Sequence, residues 1–270
     1  MSAAIPATGK GRLVLVPNTL DFGVEGAAVD LQQVLPLEVI AAAAGITHWA
    51  AENAKTARAF LKRVDTVRPL VQPLQALVIR ELPRPPKGGA RHDAGADQAA
   101  AWRDLLEPAL AGHDVGLISE AGLPAIADPG ALLVEQAHRA GITVLPLVGP
   151  SSLLLALAAS GLNGQSFAFV GYLPVEAAAR TARIRELEAL SLRLGQTQLM
   201  IETPYRNSAL LHALLSGLKP STRLSVSCGL TLAGGFTRSM RVVDWRATSA
   251  ASAASAALPD KVPAVFSLLA

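Results

Sequence analysis

Two short runs in this chain end apolar strands in residues suited to holding a polar ligand with main-chain groups. The first is Gly116-Leu117-Ile118-Ser119-Glu120-Ala121-Gly122-Leu123-Pro124-Ala125-Ile126-Ala127-Asp128-Pro129-Gly130, and the second is Val144-Leu145-Pro146-Leu147-Val148-Gly149-Pro150-Ser151-Ser152. In an open α/β sheet, ligands sit beyond the carboxyl ends of strands, where backbone groups are exposed and helix N-termini favour polar or charged atoms. The two turns therefore border one expected pocket. Gly122 and Gly149 let main chain approach a ligand, and Ser119, Ser151 and Ser152 offer hydroxyls. Each also has a plainer reading, the glycines as turn formers and Ser151 as a helix N-cap. Asp128, ahead of Pro129-Gly130, reads first as a turn or cap residue and second as an acid that orients a ligand.

Other chemistries lack their residues. His48, His92, His113, His138 and His212 show no metal-ligand spacing. No Gly-x-Gly-x-x-Gly follows the strand Leu13–Val16, no phosphate-loop Gly-Lys-Ser/Thr occurs, and no Gly-x-Ser-x-Gly elbow is present. Hydride transfer on a Rossmann cofactor, nucleotide hydrolysis and a hydrolase triad lose ground together. Methyl transfer from an activated sulfonium needs mainly orientation, worth up to about 7–11 kcal/mol in ideal cases, and backbone turns can supply it. No side chain is singled out as catalytic.

The elements that must carry these turns alternate along the chain. Strand-like runs at 13–16, 46–50, 77–80, 115–119 and 142–147 alternate with helix-like runs at 29–44, 53–64, 97–111 and 132–140. This is the pattern of crossover units on a mostly parallel sheet. A helix at 152–160 ends in Gly161-Leu162-Asn163-Gly164, a natural boundary. Beyond it come strands at 167–170, 197–201, 224–227, 239–243 and 264–268, with helices at 176–194 and 207–218. The late strands lack intervening helices, which implies antiparallel pairing. The expected organisation is α/β, with two domains, 1–164 with a mostly parallel sheet and 165–270 with a mixed one. Pro83 to Ala96 and Thr248 to Ala257 read as loose surface segments.

A chain of 270 residues with 51% hydrophobic content can bury a large core, and only 4% is aromatic, so that core is aliphatic. The net charge of +3 permits a nucleic-acid partner without arguing for one. One cysteine, Cys228, excludes an internal disulfide and fits a reducing cytoplasm. The first residues lack secretory-signal features, and no apolar stretch reaches the roughly 18–20 residues of a membrane span, so no membrane association is expected.

Five segments resemble, in order, the tetrapyrrole (corrin/porphyrin) methylase superfamily, and within it the branch that methylates small-subunit ribosomal RNA. Ser119 to Gly130 matches Ser-Asp-Ala-Gly-Thr-Pro-x-Ile-Ser-Asp-Pro-Gly, and Pro146 to Ser151 matches Pro-Leu-Pro-Gly-Pro-Ser. Ala51 to Arg58 resembles Ala-Glu-Asp-Thr-Arg-x-Thr, Phe167 to Pro174 resembles Phe-x-Phe-x-Gly-Phe-Leu-Pro, and Glu202-Thr203-Pro204-Tyr205-Arg206 resembles Glu-Ser-Pro-His-Arg. The resemblance implies two α/β domains meeting at a cleft that holds S-adenosylmethionine, in a homodimer. Carried over position by position, it implies cofactor contacts from Pro17, Ser119, Glu120, Ala121, Gly122, Leu123, Ile126, Val148, Gly149, Pro150, Ser151, Ser152, Leu230 and Thr231. It implies acceptor contacts from Glu202, Tyr205 and Arg206.

The chain also departs from that pattern. Val16-Pro17-Asn18-Thr19-Leu20-Asp21 replaces Thr-Pro-Ile-Gly-Asn-Leu, and Val175-Glu176 replaces a basic run after Pro174. Ser227 to Gly235 keeps Leu230-Thr231 but loses the charged residues of Arg-Glu-Leu-Thr-Lys-x-His-Glu. Backbone contacts to a cofactor survive such changes; side-chain contacts to phosphate do not. Three functions follow: a ribosomal RNA (cytidine 2′-O) methyltransferase, a methyltransferase for a tetrapyrrole or other small molecule, and a non-catalytic paralogue that keeps the cofactor site. For the first, Lys55, Arg58, Lys62, Arg63, Arg180, Arg183, Arg185 and Arg206 are the expected phosphate-facing cations.

Overall fold

A computed structural model describes residues 9–21, 24, 26, 29–83, 96–251 and 258–270. The loose segments expected at 83–96 and 248–257 lie largely outside these. The chain divides into two compact units, residues 9–21 with 29–150 in one and the chain from Ser151 onward in the other.

The first unit is a five-stranded, wholly parallel sheet. Its elements run β1 (Arg12–Leu15), α1 (Leu31–Val34), α2 (Leu37–Gly45), β2 (His48–Ala51), α3 (Ala54–Val67), β3 (Val78–Glu81), α4 (Ala96–Asp104), α5 (Glu107–Leu110), β4 (Val115–Ile118), α6 (Ala131–Arg139) and β5 (Thr143–Pro146). The strand order is β3-β2-β4-β1-β5, so β4 enters between β1 and β2. Both faces are covered, by one aliphatic cluster around Phe60, Leu61 and Trp49 and by another around Leu117, Leu133 and Trp102. β4 is buried at every position, as a central parallel strand requires.

Two expected helices are each interrupted, and prolines account for the breaks. The run 29–44 splits because Pro36 cannot continue the turn before it, leaving Leu35 extended at φ −109°. The run 97–111 splits before Pro108, which sits in the first turn of α5 where its missing N–H is harmless.

The second unit begins with α7 (Ser152–Ser160), followed by β6 (Phe167–Tyr172), α8 (Ala177–Leu194), β7 (Thr197–Ile201), α9 (Asn207–Gly217), β8 (Arg223–Cys228), β9 (Phe236–Arg241), α10 (Val242–Ala251) and β10 (Ala264–Leu269). Its sheet has the order β6-β7-β10-β8-β9. β6 and β7 are parallel and the other three pairings antiparallel, which is the mixed sheet the sequence implies. The division falls at Ser151 and not at residue 164, because Leu153, Ala156 and Leu157 of α7 pack on Leu199 and Val265 of this sheet. The strand expected at 239–243 begins at Phe236 and stops at Arg241; Val242 and Val243 open a helix whose Trp245 donates to the Leu224 carbonyl at 2.8 Å.

Candidate functional site

The carboxyl ends of β1 and β4 are joined by one buried residue. Asn18 donates its backbone N–H to Gly122 O at 2.9 Å and accepts from Gly122 N at 3.2 Å. Its side-chain amide donates to Glu120 O at 2.9 Å and to Ser119 O at 3.3 Å, while Oδ1 accepts from Thr19 N at 2.9 Å. Each such bond costs about 1–3 kcal/mol if its partner is left buried and unpaired. Asn18 therefore fixes the turn after β4 to the turn after β1. The rest of the β1 turn is tied to α3, where Arg63 pairs with Asp21 at 2.9 Å and Thr19 donates to the same carboxylate. Asp21 is held below its ordinary pKa because the bonds from Arg63, Thr19 and Val29 outweigh burial.

The two glycines hold their places for different reasons. Gly122 has φ +68°, and a side chain there would approach Leu20 Cδ2 at 3.3 Å and Pro150 O at 3.4 Å. Gly149 has no room at all, since a Cβ would lie 2.2 Å from Pro17 Cβ. Its bareness is required by the contact with Pro17, whether or not a ligand also approaches it. The loop between Gly122 and α6 also carries two non-glycine residues in the left-handed region, Ala125 and Ala127, both at φ +65°. Such residues persist only where surrounding structure over-determines them, and they cluster at functional sites.

The hydroxyls and apolar side chains of the two turns divide clearly. Ser119 is buried and its Oγ has no hydrogen-bond partner. Ile126 and Val148 are exposed, Val148 at 76%. Ala121 and Leu123 are half-buried on the β4 turn, and Pro150 closes the β5 turn. Ser151 occupies the N-cap position of α7, but its side chain makes no capping bond; Ser152 is the first helical residue. Both belong to the second unit.

Two acids, Glu52 and Glu120, follow the ends of β2 and β4. Glu52 Oε2 accepts the Glu120 backbone N–H at 3.0 Å, and Thr56 Oγ1 donates to Glu120 Oε1 at 3.2 Å. Burial first, then the charges of Glu52 and Glu120, push the pKa of Asp128 up to about 7. Burial also raises Glu52, partly offset by the Glu120 N–H and reinforced by the Glu120 charge. Asp128 does not cap the following helix, whose N-cap is Gly130 with no side-chain bond; the reading of Asp128 as a cap is corrected here. Among the described residues no cluster of His, Cys, Asp or Glu has the makings of a metal site. The arrangement instead favours the protonated form of Asp128.

In the second unit, the stretch after β7 folds onto itself. Arg206 donates from Nε and Nη2 to Glu202 Oε1 at 3.0 and 2.7 Å, and that oxygen also accepts Thr203 N at 2.7 Å. Glu202 is buried, whereas Tyr205 is 77% exposed with the Arg206 guanidinium 5.4 Å from its ring centre. Leu230 and Thr231 lie in the turn between β8 and β9, a turn shaped by Gly229 at φ +61° and Thr231 at φ +68°. Leu230 packs beside Leu153 and Leu157, and Thr231 is exposed.

Several expected phosphate-facing cations are otherwise engaged. Arg63 is bound to Asp21, Arg183 to Glu186 at 2.7 Å and Arg206 to Glu202, while Arg58 and Arg180 reach the carbonyls of Ala54 and Val175. Asn18, Asp21 and Glu52 were not expected as site-building residues. The Pro17-Asn18 pair carries the sequence signal for Asn18; Glu52 lies in the Ala51 to Arg58 segment that resembles the family, but its role depends on β2 lying next to β4.

Residues 38–235 match the family model of the Tetrapyrrole (Corrin/Porphyrin) Methylases. The ribosomal RNA small subunit methyltransferase I of Vibrio cholerae is 40% identical over 117 residues, 43% of this chain and 38% of that protein. The enzyme of the same name from Mesorhizobium japonicum is 37% identical over 142 residues, 53% of this chain and 46% of that protein. The matched stretches thus span less than half the length of these relatives. Among solved structures, a conserved hypothetical protein from Aeropyrum pernix K1 superposes with TM-score 0.56 at 17% identity, covering 95% of this chain and 84% of that one. The native form of uroporphyrin III C-methyltransferase from Thermus thermophilus superposes with TM-score 0.50 at 17% identity, covering 96% and 97%. At such identities these two likenesses show the fold alone.

Proposed function

The chain belongs to the tetrapyrrole (corrin/porphyrin) methylases, and from that premise we propose that it is a methyltransferase using S-adenosylmethionine with small-subunit ribosomal RNA, at a cytidine 2′-hydroxyl, as acceptor. The names of the relatives support the acceptor. The observation that carries the cofactor is the rim of the first sheet. There, a buried hydroxyl without a partner, Ser119 Oγ, lies in the β4 turn, next in sequence to an acid of the Glu52, Glu120 and Asp128 cluster. Carboxyl groups in a low-dielectric rim complement a cationic ligand.

In this reading Ser119, Glu120 and the main chain of Ala121, Gly122 and Leu123 hold the polar parts of the cofactor. Pro17, Ile126, Val148, Gly149 and Pro150 supply apolar walls. The cofactor when bound supplies an activated methyl on a cationic sulfur. Asn18 keeps the β1 and β4 turns at fixed separation, which limits reorganisation when the ligand enters. Asp128 changes protonation as a cation arrives. The family resemblance supports assembly as a homodimer, and a ribosomal acceptor places the reaction in the cytoplasm.

Calorimetric titration with S-adenosylmethionine and with its demethylated product, followed by methyl incorporation into small ribosomal subunits lacking the modification, tests this reading. Binding of both with incorporation into RNA is expected. Binding without incorporation removes the RNA acceptor and leaves a tetrapyrrole acceptor or a non-catalytic role; absence of binding removes the methyltransferase.

A further inference from the structure

The only two tyrosines of the chain sit at the carboxyl ends of neighbouring parallel strands: Tyr172 is the last residue of β6, and Tyr205 lies four residues past the end of β7. Three features of the fold put them there. The β6–β7 pairing runs Phe167 with Thr197 and Phe169 with Leu199, then slips so that Tyr172 and not Gly171 stands opposite Ile201. Gly171 takes φ +71° with open space around it, so its lack of a side chain answers a backbone demand and not a steric one. A bulge of this kind re-aims the residue after it, and it moves Tyr172 onto the sheet face of Leu199 and Ile201.

Arg206 follows five residues after Ile201. Its Nε and Nη2 are both spent on Glu202, which fixes the guanidinium plane, and that plane lies 5.4 Å from the centre of the Tyr205 ring. The guanidinium is held above its ordinary pKa first by the Glu202 hydrogen bond, which outweighs burial, and then by the charges of Glu202, Tyr205 and Tyr172. Both rings remain open, Tyr172 at 55% and Tyr205 at 77% exposure. An exposed phenol ring with a guanidinium held beside it, and a second exposed phenol ring ending the neighbouring strand, are the kind of surface on which unpaired bases stack.

We propose that Tyr172, Arg206 and Tyr205 form a stacking platform for unpaired nucleotides of a single-stranded RNA segment, with Glu202 as the positioning residue that holds the guanidinium flat. The inference deepens the RNA reading of the acceptor and rests on it. Because Glu202 neutralises Arg206, the platform binds by stacking and not by charge. Duplex RNA, whose bases are already stacked on one another, has nothing to offer it.

The experiment measures fluorescence anisotropy of a labelled oligocytidine 12-mer with the full chain across a salt series, alongside a duplex RNA of equal length. Tyr172→Leu, Tyr205→Leu and the double variant are compared with Tyr172→Phe and Tyr205→Phe, with folding checked by circular dichroism and S-adenosylmethionine affinity by calorimetry. Each Leu variant raises Kd about 5- to 100-fold, each Phe variant stays within about threefold of the parent, and the slope of log Kd against log salt does not change. Single-strand binding that is indifferent to both Leu substitutions, absence of single-strand binding, or preference for the duplex overturns the platform. Methylation of ribosomal subunits that persists in the double variant overturns the platform alone. Tyrosine-dependent strand binding without methylation overturns the proposed activity and supports the platform.

Discussion

Replacing Asp128 with Asn tests whether the fold favours the protonated form of that carboxyl. Lifting a carboxyl from about 3.9 to about 7 corresponds to about 4 kcal/mol of folded-state preference for the protonated form. Between about pH 4 and 7 the folded chain keeps a proton that the unfolded chain has released. Stability from this group is therefore full below about pH 4, falls as pH rises through that window, and is gone above 7. Asn resembles the neutral acid in size and carries no charge. Asp128→Asn should leave stability nearly unchanged at pH 4 and raise it by about 2–4 kcal/mol at pH 8, the lower figure allowing for local relaxation of a half-buried site. Urea unfolding at the two pH values, followed by tryptophan fluorescence in a Trp245→Phe background, reads the first unit through Trp49 and Trp102, which are both buried. This matters because two compact units need not unfold in one step. An Asn effect of the same size at pH 4 and pH 8, or destabilisation at pH 8, would refute that preference.

The same cluster predicts that binding of cationic S-adenosylmethionine at pH 7 releases about half a proton from Asp128; calorimetry in buffers of different ionisation enthalpy should show it, and an enthalpy independent of buffer would count against it. Gly149→Val should lower the unfolding temperature sharply, because its Cβ meets Pro17 at 2.2 Å; a stable variant that has lost only cofactor affinity would restore the ligand-approach explanation. Arg206→Ala should reduce methyl transfer with little change in cofactor affinity, and equal loss of both would make the Glu202 pair purely structural. With Arg63, Arg183 and Arg206 engaged in ion pairs, RNA affinity should show a shallow salt slope; a slope equivalent to six or more phosphates at roughly −0.7 each for a single strand would contradict that. Cys228, buried in the second core with its thiol pushed up by burial, should resist thiol reagents until the second unit unfolds.

Sequence alone determined what depends on neighbours along the chain. Alternating apolar runs specified the parallel sheet, the helix-free late strands specified antiparallel pairing, and the wording of Ser119 to Gly130 pointed to the family. Periodicity is a local property, and so is turn chemistry. The breaks at Pro36 and Pro108 are local as well, set by the rigid proline ring. Tertiary structure decided the rest. Gly149 reads as a ligand-approach glycine until β1 and β5 lie side by side and Pro17 fills the space. Asp128 reads as a cap until β2 and β4 pair and the charges of Glu52 and Glu120 act on it. Arg63 reads as a free cation until folding supplies Asp21. In each case the deciding partner lies on another strand, helix or turn. Charge and volume acquire their meaning only where separate elements meet in a low-dielectric, close-packed interior.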